Sequence, residues 1–145
     1  MYFVDREKIE ETLKLMEDLL SFFSETDSFE TKMEKLALQR LGHLTIECIL
    51  DTGNALIDGF IMRDPGSYED IIDILLDEKV IAKADEEGLK ELVFFRKPLI
   101  QEYLSADTKQ LENLMGTHFD ILKAFPQKVR TYLANELGPV SAFKN

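Results

Sequence analysis

Apolar residues recur every three or four positions along almost the whole chain, a period that helices bury by packing on other helices. A first run opens at Asp5, a plausible N-cap, and reaches about Phe23, with Ile9, Leu13, Met16, Leu20 and Phe23 on one stripe. Asp27 and Glu30, three residues apart, read as a capping box for a second helix over about 29–57. Leu41, Thr45, Cys48, Ile49, Thr52, Ala55 and Leu56 line one of its sides, and several are small enough for close helix–helix approach. Asp64-Pro65-Gly66 punctuates a loop over 59–67. Ser67 with Asp70 caps a short helix reaching Leu76, whose Ile71, Ile74 and Leu75 would pack down as a lid. Asp85 opens a third long helix, and Asp107 with Gln110 caps a fourth. The fourth carries Leu111, Leu114, Ile121, Leu122, Phe125, Val129, Tyr132 and Leu133. Pro126 is expected to bend it, because the apolar period continues beyond, and Gly138-Pro139 to stop it. The predicted fold is all-α: an antiparallel four-helix bundle with a short helical insertion between the second and third long helices. One domain is expected over 1–137, followed by a short tail over 138–145.

Composition narrows the function classes. No apolar stretch approaches the roughly 20 residues needed to cross a bilayer, and Asp5, Glu7, Glu10 and Glu11 interrupt any leader-like run. Cys48 is the one cysteine, so no intrachain disulfide can form, and a cytoplasmic protein without membrane attachment is expected. With one Cys and with His43 and His118 in distant segments, a His/Cys metal site is disfavoured, carboxylate-only sites stay open, and no cofactor is expected. The net charge of −11 argues against a broad basic face for tracking nucleic acid. DNA is therefore not an expected partner, and any RNA would have to be held at a local cluster.

Such a cluster is Arg96-Lys97-Pro98-Leu99-Ile100-Gln101-Glu102-Tyr103. Leu89, Leu92, Val93, Ile100 and Leu104 make the surrounding run read as a buried helix. At about 100° per residue Arg96 falls inside that apolar stripe, and Tyr103 stacks almost above it seven residues on. Arginine is rarely buried without a partner, and this one stands two residues before a proline that tends to kink a helix.

These residues resemble a family. Arg, four residues, His, one residue, Tyr, late in the third bundle helix, marks the HepT-like branch of the HEPN superfamily, and within that branch the chain resembles the YutE-like proteins. Arg96 and Tyr103 fit that pattern, while Gln101 stands at the histidine position and Lys97 where asparagine is common. Arg40-Leu41-Gly42-His43-Leu44-Thr45-Ile46-Glu47-Cys48-Ile49-Leu50-Asp51-Thr52-Gly53-Asn54 is similar to the family's second helix. Arg63-Asp64-Pro65-Gly66-Ser67-Tyr68, followed by Leu75 and Val80-Ile81, is similar to its insertion. The likeness covers about residues 5 to 137. It implies a homodimeric bundle and a metal-independent RNase whose cleft lies between two protomers. It also implies a toxin neutralised by a minimal nucleotidyltransferase antitoxin, with Tyr103 as the residue such a partner would modify with AMP.

Metal-free RNA cleavage needs a base for the 2′-hydroxyl, an acid for the leaving 5′-oxygen and a cation beside the phosphate. Histidine suits the first two roles and arginine the third. Arg96 keeps the cation, whereas Gln101 can hydrogen-bond but cannot shuttle a proton at neutral pH. Weak cleavage, or binding without cleavage, is the expectation. Arg96 is equally open to a reading as an interface arginine paired with an acidic residue across a two-fold axis. Lys97 is either a surface lysine or a second phosphate contact, and Tyr103 a packed aromatic or the acceptor that the resemblance implies. His43 shares a face with Arg40 and Glu47, which Asp51 and Asn54 continue. That strip is a solvated face with local charge pairs, or it reaches the cleft and supplies the missing base. His118 lies among Leu111, Leu114, Leu122 and Phe125 and reads as a core histidine with a satisfied hydrogen bond, and Lys123, Lys128 and Arg130 as solvated cations.

Overall fold

The computed structural model describes residues 4–138, and all of the expected tail over 138–145 except Gly138 lies outside the described residues. The described chain is all-helical: α1 (Arg6–Glu25), α2 (Lys32–Gly59), α3 (Tyr68–Asp77), α4 (Glu86–Phe94), α5 (Arg96–Ile100), α6 (Thr108–Thr117) and α7 (Phe119–Leu137), with 3₁₀ turns at Lys83–Asp85 and Tyr103–Ser105. α2 is the central element and packs against α1, α3, α5 and α6, while α7 lies along α1.

Local chemistry sets the ends. The Asp5 carboxylate accepts the Lys8 N–H at 2.9 Å, Ser67 Oγ accepts the Asp70 N–H at 3.1 Å, and Asp107 accepts the Gln110 N–H at 3.1 Å, all as the sequence predicts. The start of α2 differs. Its capping box is Thr31 with Glu34, not Asp27 with Glu30. Glu34 Oε1 takes both the Glu30 and the Thr31 N–H, at 3.0 and 2.9 Å, so one carboxylate closes the turn four residues later than expected.

Helix α1 buries Ile9, Leu13, Met16 and Leu20, and α2 buries Leu38 through Ile57 on the core side. The small residues of α2 mark close approach. A Cβ on Gly53 would stand 2.5 Å from Ile71 Cγ2 of α3, so only glycine lets the insertion helix sit this near. Thr52 Oγ1 is buried with no hydrogen-bond partner among the described residues. Replacing an unsatisfied buried hydroxyl by a methyl of the same shape removes a desolvation cost. Thr52→Val is expected to stabilise the fold by about 1 kcal/mol, read as a raised urea midpoint with an unchanged m-value.

The third and fourth helical patterns are each broken. A continuous helix through Phe95 would need a Pro98 N–H for the Phe94 carbonyl and would drive the proline ring into it. The chain instead stops at Phe94 and restarts at Arg96, which puts Pro98 in a first turn where the missing N–H costs nothing. α5 ends at Ile100, where the Lys97 carbonyl accepts the N–H groups of Gln101 and Glu102 at 2.8 and 3.1 Å. The seven-residue registry between Arg96 and Tyr103 is therefore absent: Tyr103 is 68% and Leu104 95% exposed. The fourth pattern breaks at His118, whose Nε2 lies 2.8 Å from Glu91 Oε2 while its ring covers Gly88 of α4. His118 thus has the satisfied hydrogen bond expected of it. α7 runs through Pro126 to Leu137.

Candidate functional site: an arginine seated on a tyrosine

Three elements meet at Arg96. It begins α5, its side chain is 21% exposed, and its Nε donates to Glu47 Oε1 of α2 at 2.6 Å. Its guanidinium carbon stands 4.5 Å from the ring centroid of Tyr68, the first residue of α3. The Glu47 hydrogen bond and charge, with the Tyr68 ring and Asp51, raise the Arg96 pKa further above its ordinary value despite some burial. The acidic partner thus belongs to the same chain, and the pairing needs no two-fold axis. Glu47 occupies Nε only, and the two terminal amino groups of Arg96 make no hydrogen bond among the described residues. Two such free N–H groups are the part of an arginine that can take a carboxylate or phosphate in a fork.

The strip on α2 does reach this point. His43 Nε2 lies 3.9 Å from the same Glu47 oxygen, and Arg40 Nη1 is 3.4 Å from His43 Nδ1. An arginine N–H can only donate, so Nδ1 is assigned as acceptor and Nε2 as the protonated nitrogen facing Glu47. Arg40, His43, Glu47 and Arg96 form one chain of contacts from α2 to α5. Cys48, next along α2, is buried and its thiol is pushed up to about 11 by burial and by Asp51 and Glu47, which makes it a poor nucleophile.

Lys97, Gln101 and Tyr103 are exposed on α5 and the turn after it. None of them touches Arg96 through a hydrogen bond or ion pair among the described residues. Tyr68 is the residue that sequence reasoning passed over. It stands at the end of the Arg63–Tyr68 segment, and nothing in its spacing from Arg96 announces that the two stack. The turn before it is held by Arg63, which donates to both Asp70 oxygens at 2.7 and 2.8 Å, while the Gly66 N–H also reaches Asp70 at 2.8 Å. These bonds hold the Asp70 carboxyl well below the usual carboxylate range. Lys128 and Arg130 are not free cations either: Lys128 pairs with Asp85, and Arg130 grips Glu10 and Glu17. Among the described residues no three His, Cys, Asp or Glu side chains gather as a metal ion would need, and no helix is long and apolar enough to cross a membrane.

The family model described as ribonuclease HepT-like matches residues 9–129. A protein of Bacillus subtilis (strain 168) named "Putative RNase YutE" is 56% identical over 144 residues, covering 99% of this chain and 100% of its own. The solved structure of YutE from Bacillus subtilis, described as a cytosolic protein of unknown function, superposes with a TM-score of 0.95 over 99% of this chain and 100% of that one. A tri-AMPylated HEPN toxin of Shewanella oneidensis, solved in complex with its MNT antitoxin, superposes with a TM-score of 0.71 at 14% identity, over 86% of this chain and 95% of that one. A toxin–antitoxin structure with AMP-PNP gives 0.72 at 13% identity, over 86% and 96%. These last two likenesses are of fold.

Proposed function

The chain belongs to the HepT-like ribonuclease family, and from that premise we propose that it is the toxin of a toxin–antitoxin pair. In this reading it binds RNA phosphate at Arg96 in the cleft of a cytoplasmic homodimer and cleaves the strand slowly, without a metal ion. The observation that carries the reading is the seat of Arg96. Glu47 and Tyr68 fix the guanidinium from one edge and one face, and the phosphate-binding edge is left over. An arginine preorganised in this way loses little rotamer freedom when it meets a phosphate.

Symmetry enters because Arg96 and Gln101 are five residues apart, roughly 140° around the helix. On an ideal helix that spacing points them apart within one protomer. A two-fold axis beside α5 would set one protomer's Arg96 against its partner's exposed turn and build a single cleft from two copies. Lys97 would add a second phosphate contact. His43 beside Glu47 is the candidate base in place of the missing motif histidine, on condition that its Nδ1 exchanges the long 3.4 Å contact with Arg40 for the substrate proton. Slow turnover follows from Gln101, which is able to hydrogen-bond but moves no proton. That same substitution supports a second reading, a non-catalytic module that kept the cleft to bind RNA, a nucleotide or a protein.

Arg96→Ala tests the phosphate contact. Binding of a uridine-only RNA hexamer should weaken, and the slope of log affinity against log salt should become shallower by about 0.7 for every phosphate that Arg96 neutralises in the native protein. An unchanged slope would place the phosphate elsewhere. Tyr103 is the candidate acceptor for AMP from a nucleotidyltransferase antitoxin, because its ring is 68% exposed on a surface turn. Co-expression with such an enzyme should add AMP to the intact chain by mass spectrometry, and Tyr103→Phe should abolish the addition at that site.

A further inference from the structure

Four of the five arginines are engaged by oxygen. Arg63, Arg96 and Arg130 hold carboxylates, and Arg6 donates to the Gly138 carbonyl at 3.3 Å. Arg40 is the exception among the described residues. It is exposed on α2, no carboxylate lies within ion-pair distance of it, and its guanidinium makes a single contact, Nη1 to His43 Nδ1 at 3.4 Å. The chain has 28 acidic against 17 basic residues, so carboxylates are in excess, yet this guanidinium keeps its charge uncompensated and most of its donors free.

Contacts join Arg40 to the Arg96 site at every step. His43 Nε2 lies 3.9 Å from Glu47 Oε1, and that same oxygen takes the Arg96 Nε at 2.6 Å. The carboxylate between the two arginines is thus already paired with Arg96, which leaves the ridge cationic. Arg40 and Glu47 are seven residues apart, two turns on one face and about 10 Å along α2. A stacked nucleic-acid strand carries one phosphate per roughly 3.4 Å of rise, so that distance spans about three nucleotides. We infer that Arg40 is a further phosphate contact for the RNA strand, taking a phosphate a few nucleotides from the one at Arg96. This inference rests on the RNA reading of Arg96. A repeating anion engages two separated cations at once, whereas a lone carboxylate engages one. The contact that Arg40 gives up is weak, because 3.4 Å is long for an N–H donor, and a charge-assisted bond to phosphate is stronger. The exchange also uncovers the His43 Nδ1 lone pair, the atom that a base at this site would use.

The test uses the whole chain, with chelator present, and two uridine ligands: a hexamer and the dinucleotide UpU, whose single phosphate can engage one arginine only. Affinities are read by NMR titration, which reaches the weak dinucleotide complex. Arg40→Ala should weaken hexamer binding about tenfold and make the slope of log affinity against log salt shallower by about 0.7. It should leave UpU affinity within twofold. Arg40→Lys, which keeps the charge, should retain the native slope. Arg96→Ala should weaken both ligands. Hexamer affinity and slope unchanged in Arg40→Ala would overturn the inference, and if Arg96→Ala still weakens binding in that case, the phosphate reading of Arg96 stands without it. Equal weakening of hexamer and UpU in Arg40→Ala would make its role structural and overturn it too. A changed oligomeric state in Arg40→Ala with hexamer affinity intact would assign Arg40 to a contact between copies of the chain, again overturning it. No effect of Arg96→Ala on either ligand would remove the RNA reading itself, and this inference with it.

Discussion

Replacing Gln101 with histidine is expected to raise metal-free RNA cleavage by about 10²–10⁴-fold, the usual worth of a positioned general acid or base. Gln101 is exposed at the C-terminal end of α5 and its side chain makes no hydrogen bond among the described residues, so the exchange should leave stability unchanged. The gain should carry a signature. An imidazole titrates near pH 6.5, so the variant's rate should vary through that range, with the form of the profile reporting acid and base roles. The native protein should show no such dependence from residue 101. Adding Arg96→Ala to the histidine variant should remove the gain, because an acid–base group without a phosphate anchor has no positioned substrate. A chelator should change neither rate.

Arg130→Ala is expected to give the largest loss of stability among single charge deletions, about 2 kcal/mol after allowing for partial exposure, with a Tm drop of several degrees. The Arg130 guanidinium makes four hydrogen bonds of 2.8–2.9 Å to Glu10 and Glu17 and ties α7 to α1. Its removal also leaves the two carboxylates facing one another. The pH dependence has a definite sign. The hydrogen bond and charge of Arg130 lower the Glu17 pKa from 4.5 against a smaller opposing effect of burial. A depressed carboxyl pKa contributes stability above its unfolded value that is lost as pH falls through its folded one. The gap between native and Arg130→Ala proteins should therefore be full above about pH 4.5 and narrow below it. Arg130→Lys, which keeps the charge but not the fork, should fall between the two.

The same residues show how much could be read from the chain alone. Helix existence followed from apolar spacing, because one face of each element meets the core. Caps at Asp5, Ser67 and Asp107 followed from chemistry within three residues. The breaks at Phe95 and His118 did not. Pro98 announced a kink near Arg96 but not where the helix would stop and restart, and apolar periodicity takes no account of a histidine drawn across to Glu91. The difference matters at the site: extending one helix past Ile100 places Tyr103 over Arg96, when the ring beneath it is Tyr68. Glu47 was legible as a candidate through its α2 face, although its pairing with a residue 49 positions away was not. Arg130 reads as a solvated cation in the sequence because its partners lie 113 and 120 residues away.

The central claim is a site with its phosphate geometry kept and its proton chemistry lost. The most direct measurement is single-turnover cleavage of one single-stranded RNA, with chelator present, by the native chain at saturating concentration. The account predicts saturable binding that depends on Arg96, with cleavage at least about a hundredfold slower than that of Gln101→His. Robust native cleavage that Arg96→Ala abolishes and Gln101→His does not improve would contradict it.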